Sequence, residues 1–225
     1  MIPAYNEAEN IERVVDNLAN NYPQYDYVII NDGSSDDTRK ISARRGYNLL
    51  DLPVNVGLSG AIKSGMRYAN YHGYDYVVQL DGDGQHDPAY IEKLMETMKE
   101  TGCDIVIGSR FKTEKKPGGM RMFGSRLLSM AIFLTTRKHV EDPTSGMRLF
   151  NKKMIKQFGY DMHYSPEPDT LAYLLNGGVK IEEVQVTMTE RIAGTSYLNL
   201  WSSAWYMMKM MFSILLFQWV RRRKE

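Results

Sequence analysis

The stretch VVQLDGDGQHDP, Val77 to Pro88, joins two patterns that belong to different elements. Its first part is an apolar run of strand type that ends in Asp81, Asp83 and Asp87, interleaved with Gly82 and Gly84 and backed by Gln85 and His86. Pro88 then suits the first turn of a helix, and Ile91, Leu94, Met95 and Met98 fall on one face of it. The unit is a strand handing over to a helix through an acidic turn.

The same alternation runs outward in both directions. A helix is expected over Glu7 to Asn20, where Ile11, Val14, Val15 and Leu18 recur at helical spacing, and DYVIIN, Asp26 to Asn31, reads as a buried strand. NDGSSDDT follows as a turn, with Asp36 and Asp37 expected as caps. Next come a helix from about Asp37 to Arg45, a strand near Tyr47 to Asp51, a helix from Gly57 to His72 and a strand from Tyr74 to Leu80. DIVIG, Asp104 to Gly108, is a further buried strand. Strands alternating with helices of this length imply an α/β fold, a Rossmann-like, mostly parallel sheet with helices on both faces. Ligands of such sheets lie beyond the carboxyl ends of the strands. That rule gathers Asn6, Glu7, Asp32, Asp81, Asp83 and Arg110 on one rim.

After Arg110 the pattern loosens. KTEKKPGG reads as a mobile loop, Met122 to Thr135 as a helix and DPTSG as a turn; short helices are expected near Lys152 and Pro168, and a strand at Lys180 to Thr187. The 28 basic and 27 acidic residues nearly cancel, so no global field recruits nucleic acid and any anion site is local. Cys103, the single cysteine, has no internal disulfide partner and is expected to be a buried small hydrophobe, in keeping with a reducing cytoplasm. IPAYNEAEN has neither a basic nor an apolar leader region, so no secretory signal is expected, and the first strand reads as cut short.

Two carboxylates at i and i+2 of an extended strand end point in similar directions. A few hard oxygen ligands suit Mg²⁺ or Mn²⁺, which take their remaining ligands from water and substrate phosphates. Asp81 and Asp83 therefore suggest a metal-diphosphate site, with a simple Asp-Gly turn as the alternative. His86 is expected to be a structural hydrogen-bonder, Glu7 has the alternative of favouring a helix start, and Gly57, Gly60 and Gly65 have that of helix packing.

IPAYNE, NDGSSDDT, NVGLSGAIKSG, LDGDGQHDP, GSRF, DPTSGMRLF and ERIAGTS occur in order from Ile2 to Ser196. Together they resemble glycosyltransferase family 2, in particular dolichol-phosphate mannose synthases and bacterial polyprenyl-phosphate glycosyltransferases. The resemblance implies a GT-A fold and inverting, metal-dependent transfer from a UDP- or GDP-sugar to polyprenyl phosphate or a lipid-linked glycan. By position, Pro3, Tyr5 and Glu7 would line the nucleoside pocket and Asp32 would read the base edge. Asp81 and Asp83 would form the DxD pair, Asp83 a direct ligand of the metal, and Gln85 would lie near the diphosphate or donor sugar. Arg110, Arg191 and Ser196 would contact acceptor or donor phosphate, with Arg121 and Arg126 as further arginines or as solvated surface. Tyr197 stands where the mannose synthases carry a lysine, which removes one phosphate partner. A sugar-hydroxyl acceptor would need a base, for which Glu167, Asp169 and Asp142 are candidates; N-capping is the alternative for Asp169, and a turn for Asp142. Rival readings are a nucleotidyltransferase, which usually shows a glycine-rich basic loop after the first strand, and a non-catalytic nucleotide-sugar-binding module.

Residues 1–198 are expected to form the catalytic domain and 199–225 a C-terminal helix with a basic tail. Asn199, Ser202, Tyr206, Lys209 and Ser213 make a polar seam, while Trp201, Trp205, Met208, Phe212, Leu215 and Trp219 line another face. Ser203 to Val220 reaches only the lower limit for a span, and RRRKE would then lie across the membrane from the nucleotide sugar. An in-plane helix at the inner face of the cytoplasmic membrane is expected instead. The alternatives are a helix that makes a homo-oligomer or one packed on its own domain.

Overall fold

The alternation expected from periodicity is present, with one strand of opposite sense inside it. The computed structural model describes residues 1–118, 120–161, 167–189 and 200–217. The elements run β1 (Ile2–Ala4), α1 (Ile11–Asn21), β2 (Ile29–Asp32), α2 (Thr38–Arg44), β3 (Leu49–Leu52), α3 (Gly57–Tyr71) and β4 (Tyr76–Gln79). A 3₁₀ turn at Pro88–Tyr90 leads into α4 (Ile91–Thr101), followed by β5 (Ile105–Ser109), α5 (Met120–Thr136), β6 (Arg148–Asn151) and α6 (Lys152–Lys156). α7 (Pro168–Asn176), β7 (Ile181–Gln185) and α8 (Leu200–Phe212) complete the series, with π-helical turns continuing α6 at Gln157–Asp161 and α8 at Ser213–Phe217.

β1, β2 and β3 form one parallel group, and β4, β6, β5 and β7 a second in that order. Met1 stitches them together: its amino group donates to the Val78 carbonyl at 2.9 Å and its carbonyl accepts the Leu80 N–H at 3.0 Å, the slanted pattern of parallel strands. β6 lies antiparallel between β4 and β5, while β7 is parallel to β5. The mostly parallel sheet is therefore observed, and β6 is an addition to it. MRLF is too short an apolar run for periodicity to assign, and it carries a charge in its middle.

Side chains alternate between two cores. Ile105 and Ile107 of β5 face a cluster with Ile62 and Met66 of α3, Leu128 and Ile132 of α5 and Leu171 of α7. Val106 faces the other way, with Ile11, Val15 and Leu18 of α1 and Leu94 and Met98 of α4. Burying each such aliphatic side chain contributes about 1.5–3 kcal/mol, which fixes which sheet face each helix covers. Cys103 belongs to the second cluster and is buried as expected.

Gly65 lets α3 approach the sheet: a Cβ there would lie 2.1 Å from Met1 Sδ. The packing alternative for this glycine is the one the structure adopts. α8 packs on α5 and α7, with Met210 and Ile214 in the first core cluster and Ser213 Oγ donating to Asp169 at 2.7 Å. Of the apolar face expected from the sequence, Trp205, Met208, Phe212 and Leu215 are exposed, while the Trp201 side chain and Trp219 lie outside the described residues. Among the described residues no helix is long and apolar enough to cross a membrane.

Candidate active site

The carboxyl ends of β1, β2 and β4 turn into loops that hold one another. α1 begins at Ile11 rather than Glu7, because residues 5–10 are committed to a turn. Asn6 takes a left-handed φ of 56° and accepts the Ser35 N–H at 2.9 Å, and the Glu7 carbonyl accepts the N–H groups of Asn10 and Ile11. The Asn side chain tolerates this backbone by bonding locally. Asp36 bridges the loops by accepting the N–H groups of Ala8 and Thr38, each at 3.0 Å. Burial would raise its pKa, but the Thr38 hydroxyl and these N–H groups overcome that and hold it low. Asp36 is thus a strap between β1 and β2. Asp37 occupies the cap position of α2 without a side-chain cap bond and pairs with Lys40, contrary to the capping expected of it.

Asp32 is buried at the end of β2, and its Oδ1 accepts the Val56 N–H at 2.8 Å. The 54–56 segment crosses so close that a Cβ at Gly33, whose φ is +63°, would lie 2.4 Å from Asn55 N. Only glycine fits both the conformation and the approach. Asp32 therefore holds the lip of the rim at Val56. Pro3 lies within β1, and its carbonyl oxygen would be 3.1 Å from a Cβ on Gly82. Glu7 Cγ would be 3.4 Å from that same point, so Pro3 and Glu7 do meet the acidic turn. Glu7 Oε2 accepts the Asn10 amide at 2.9 Å. Tyr5 lies between Ala4 and Asn6, half-buried at the same strand end.

The two aspartates of the turn differ. The Asp81 side chain is 40% exposed, whereas Asp83 is only 5% exposed and its Oδ1 accepts the Gln85 N–H at 3.0 Å. Asp81 rests on the Cα of Gly146, where a Cβ would lie 2.2 Å from Oδ2 and 2.7 Å from Oδ1. His86 accepts the Asp81 N–H on Nδ1 at 3.0 Å, which places the proton of the neutral ring on Nε2, 3.8 Å from Asp81 Oδ2. His86 is the hydrogen-bonder expected. Gln85 donates from Nε2 to the Thr189 carbonyl at 3.3 Å and accepts the Thr189 N–H at 3.1 Å through its own carbonyl. Asp87 accepts the Ala89 N–H and starts the turn at Pro88, as expected.

Beyond β5, Arg110 forms a fork with Asp142, from Nε to Oδ2 at 2.7 Å and from Nη2 to Oδ1 at 2.8 Å. Asp142 is 0% exposed. Burial would raise its pKa, but the Arg110 fork holds it below the usual carboxylate value, and the Arg110 pKa is raised in turn. A buried carboxylate bonded through both oxygens to Arg110 holds that arginine in place. Glu183 on β7 accepts the N–H groups of Glu141 and Asp142, and burial pushes its own pKa up. Arg148 of β6, buried, donates to the carbonyls of Pro143 and Ser145, each at 2.8 Å. These two side chains set the path of the loop that carries Gly146.

The remaining candidates divide. Arg126 donates Nη2 to the Lys116 carbonyl at 2.6 Å and to that of Pro117 at 3.3 Å, so it closes the 116–117 loop onto α5. Glu167 occupies the cap position of α7 without a side-chain cap bond, and Asp169 lies in its first turn, buried and bonded to Ser213. Arg191, Ser196 and Tyr197 lie outside the described residues. The sequence reading missed Gly146, Arg148 and Glu183 as parts of the site. A charged residue inside the apolar MRLF was the available signal for Arg148.

Among the described residues no three His, Cys, Asp or Glu side chains gather as a metal cage. The donor set at the turn, two carboxylates of which one is open, fits a cation that keeps waters and takes phosphate oxygens, as Mg²⁺ and Mn²⁺ do.

A model of glycosyl transferase family 2 matches residues 1–159. A UDP-N-acetylglucosamine–dolichyl-phosphate N-acetylglucosaminyltransferase of Methanococcus voltae is 35% identical, over 69% of this chain and 70% of its own. An undecaprenyl-phosphate mannosyltransferase of Micrococcus luteus is 28% identical, over 88% of this chain and 86% of its own. The crystal structure of glucosyl-3-phosphoglycerate synthase from Mycobacterium tuberculosis, with Mn²⁺ and UDP-glucose, superposes with a TM-score of 0.66 at 18% identity. That superposition covers 95% of this chain and 77% of the other, and it shows a shared fold.

Proposed function

Since the chain belongs to glycosyl transferase family 2 and is a glycosyltransferase, we propose that it transfers a sugar, with inversion, from a UDP- or GDP-sugar to a polyprenyl phosphate at the inner face of the cytoplasmic membrane. Relatives named for polyprenyl- and dolichyl-phosphate acceptors support the acceptor class. The observation that carries the choice is the state of two of the three candidate bases, Glu167 at the start of α7 being the third. Asp142 is buried and forked to Arg110, and Asp169 is buried and bonded to Ser213. A sugar-hydroxyl acceptor on a lipid-linked glycan calls for an available base. A phosphate monoester is already ionised near neutral pH and supplies its own nucleophilic oxygen.

In this reading Pro3, Tyr5, Glu7 and Asp32 bound the nucleoside pocket, and Gln85 faces the donor. Arg110, oriented by Asp142, offers positive charge to phosphate at the same rim, with Arg191 and Ser196 assigned there by their position in ERIAGTS. Asp81 and Asp83 would hold the Mg²⁺ or Mn²⁺, with Asp81 the more open ligand. When bound, the metal neutralises charge that gathers on the departing nucleoside diphosphate. Residues 1–198 carry the chemistry, and residues 199–225 attach the domain to the membrane.

The test is incubation with UDP- and GDP-sugars, Mn²⁺ and polyprenyl phosphate, following transfer and nucleotide release. Transfer is expected, and it is expected to be lost in Asp83→Ala. Unchanged transfer in that variant overturns the metal assignment. Consumption of nucleoside triphosphate instead marks a nucleotidyltransferase, and binding without turnover a regulatory module.

A further inference from the structure

α5 and α8 pack side by side, in contact where a Cβ on Gly124 would lie 3.1 Å from Met207 Cγ. Their inner sides are core: Leu128, Ala131 and Ile132 from α5, Met210 from α8 and Ile214 from the π-helical turn that continues it. Their outer sides are apolar as well. Phe123, Met130 and Leu134 recur at intervals of seven and four along α5, and Trp205, Met208 and Phe212 at three and four along α8; all six are between 42% and 68% exposed. An exposed apolar surface shared by two adjacent elements marks an interaction site rather than ordinary surface.

Charge identifies the occupant. Neither α5 nor α8 contains an Asp or Glu. Exposed Arg126, Arg137, Lys138 and Lys209 lie on or directly after these helices, and RRRK, Arg221 to Lys224, follows in the sequence. The rim of a protein-binding face is polar and calls for no excess of one charge sign. Apolar stripes on two helices that carry cations and no carboxylate of their own match the acyl boundary and the headgroups of an anionic bilayer.

We propose that α5 and α8 together form one bilayer-docking face, selective for anionic lipid, in which α5 is as necessary as the C-terminal helix. This deepens the membrane-attachment reading above and rests on it for the location of the acceptor. α5 begins beyond the loop that follows β5 and Arg110, so docking through it holds the catalytic rim at the membrane surface, where a lipid phosphate is found.

The experiment is flotation of the full chain with phosphatidylglycerol-containing and phosphatidylcholine-only vesicles, which reads no sugar transfer and so stands or falls separately from the proposed activity. The expected result is at least tenfold tighter partition onto the anionic vesicles, weakened when salt shortens the Debye length from about 10 Å to about 3 Å. Phe123→Ser/Met130→Ser/Leu134→Ser, which leaves α8 untouched, is expected to lower that partition at least tenfold with an unchanged melting temperature. The single Leu134→Ser is expected to give a smaller loss in the same direction. Wild-type flotation of the triple variant refutes the role of α5, and equal binding to both vesicles refutes anionic selectivity. A dimer seen by light scattering that the triple variant abolishes, without vesicle binding by the parent, assigns the face to a second copy and overturns the proposal.

Discussion

Adding one methyl group at Gly146 should disable the site while leaving the fold intact. In Gly146→Ala the new Cβ falls 2.2 Å from Asp81 Oδ2, and ordinary contact begins at 3.4 Å, so the carboxylate must retreat by about 1.2 Å. Its side chain is 40% exposed and is held by a long bond from Gln79 Nε2 at 3.5 Å, so it can yield outward. Gly146 has no left-handed φ, so alanine meets no backbone strain. Stability should therefore change by no more than about 0.5 kcal/mol, or roughly 2 °C in melting temperature for a chain of this size. Catalysis is less forgiving, because a displacement of about 1 Å costs roughly a hundredfold, or about 2.7 kcal/mol of transition-state stabilisation. The assays are kcat/KM for sugar transfer and Mn²⁺-dependent nucleotide affinity, each beside a thermal melt. A double-mutant cycle isolates the cause: once Asp81→Ala is in place, Gly146→Ala should cost almost nothing more. Wild-type turnover in Gly146→Ala, or full additivity with Asp81→Ala, would refute the cradle.

Two other perturbations follow from the same packing. Asp142→Asn leaves Arg110 without its buried counter-charge and should cost about 3–5 kcal/mol, a drop in melting temperature of roughly 6–20 °C. Burial opposes ionisation of Asp142, but the Arg110 fork prevails and lowers its pKa from the ordinary 3.8. Its contribution is therefore full above that pH and is lost as pH falls through the lowered value. The variant's melting temperature should show less of this acid dependence, and an acid limb identical to the parent's would count against the pairing. Gly33→Ala places a Cβ 2.4 Å from Asn55 N at a φ of +63°. Denaturant melts should show a loss of about 1–3 kcal/mol, and nucleotide affinity should fall as the 54–56 lip moves; unchanged values would refute the close approach.

Much of this molecule was legible in the chain because its signals are local. The alternation of strand and helix, the acidic turn at a strand end, the start at Pro88 and the burial of Cys103 each depend on spacing within a dozen residues, where periodicity and turn chemistry act. β6 was not legible, because a four-residue strand with Arg148 at its start offers neither length nor alternation, and its pairing with β4 and β5 is settled by partners more than forty residues away. α8 shows both sides of the division. Its sequence marked the apolar face that remains exposed, whereas the burial of Met210 and Ile214 depended on α5 and α7 being in place. The roles of the carboxylates diverged for the same reason. Asp81, Asp142 and Asp169 are chemically alike in sequence, and tertiary packing assigned one to an open cradle on Gly146, one to a buried fork with Arg110 and one to a bond with Ser213. A side chain's chemistry belongs to the chain, but its solvent exposure and its partners are set by which distant backbone comes to lie beside it.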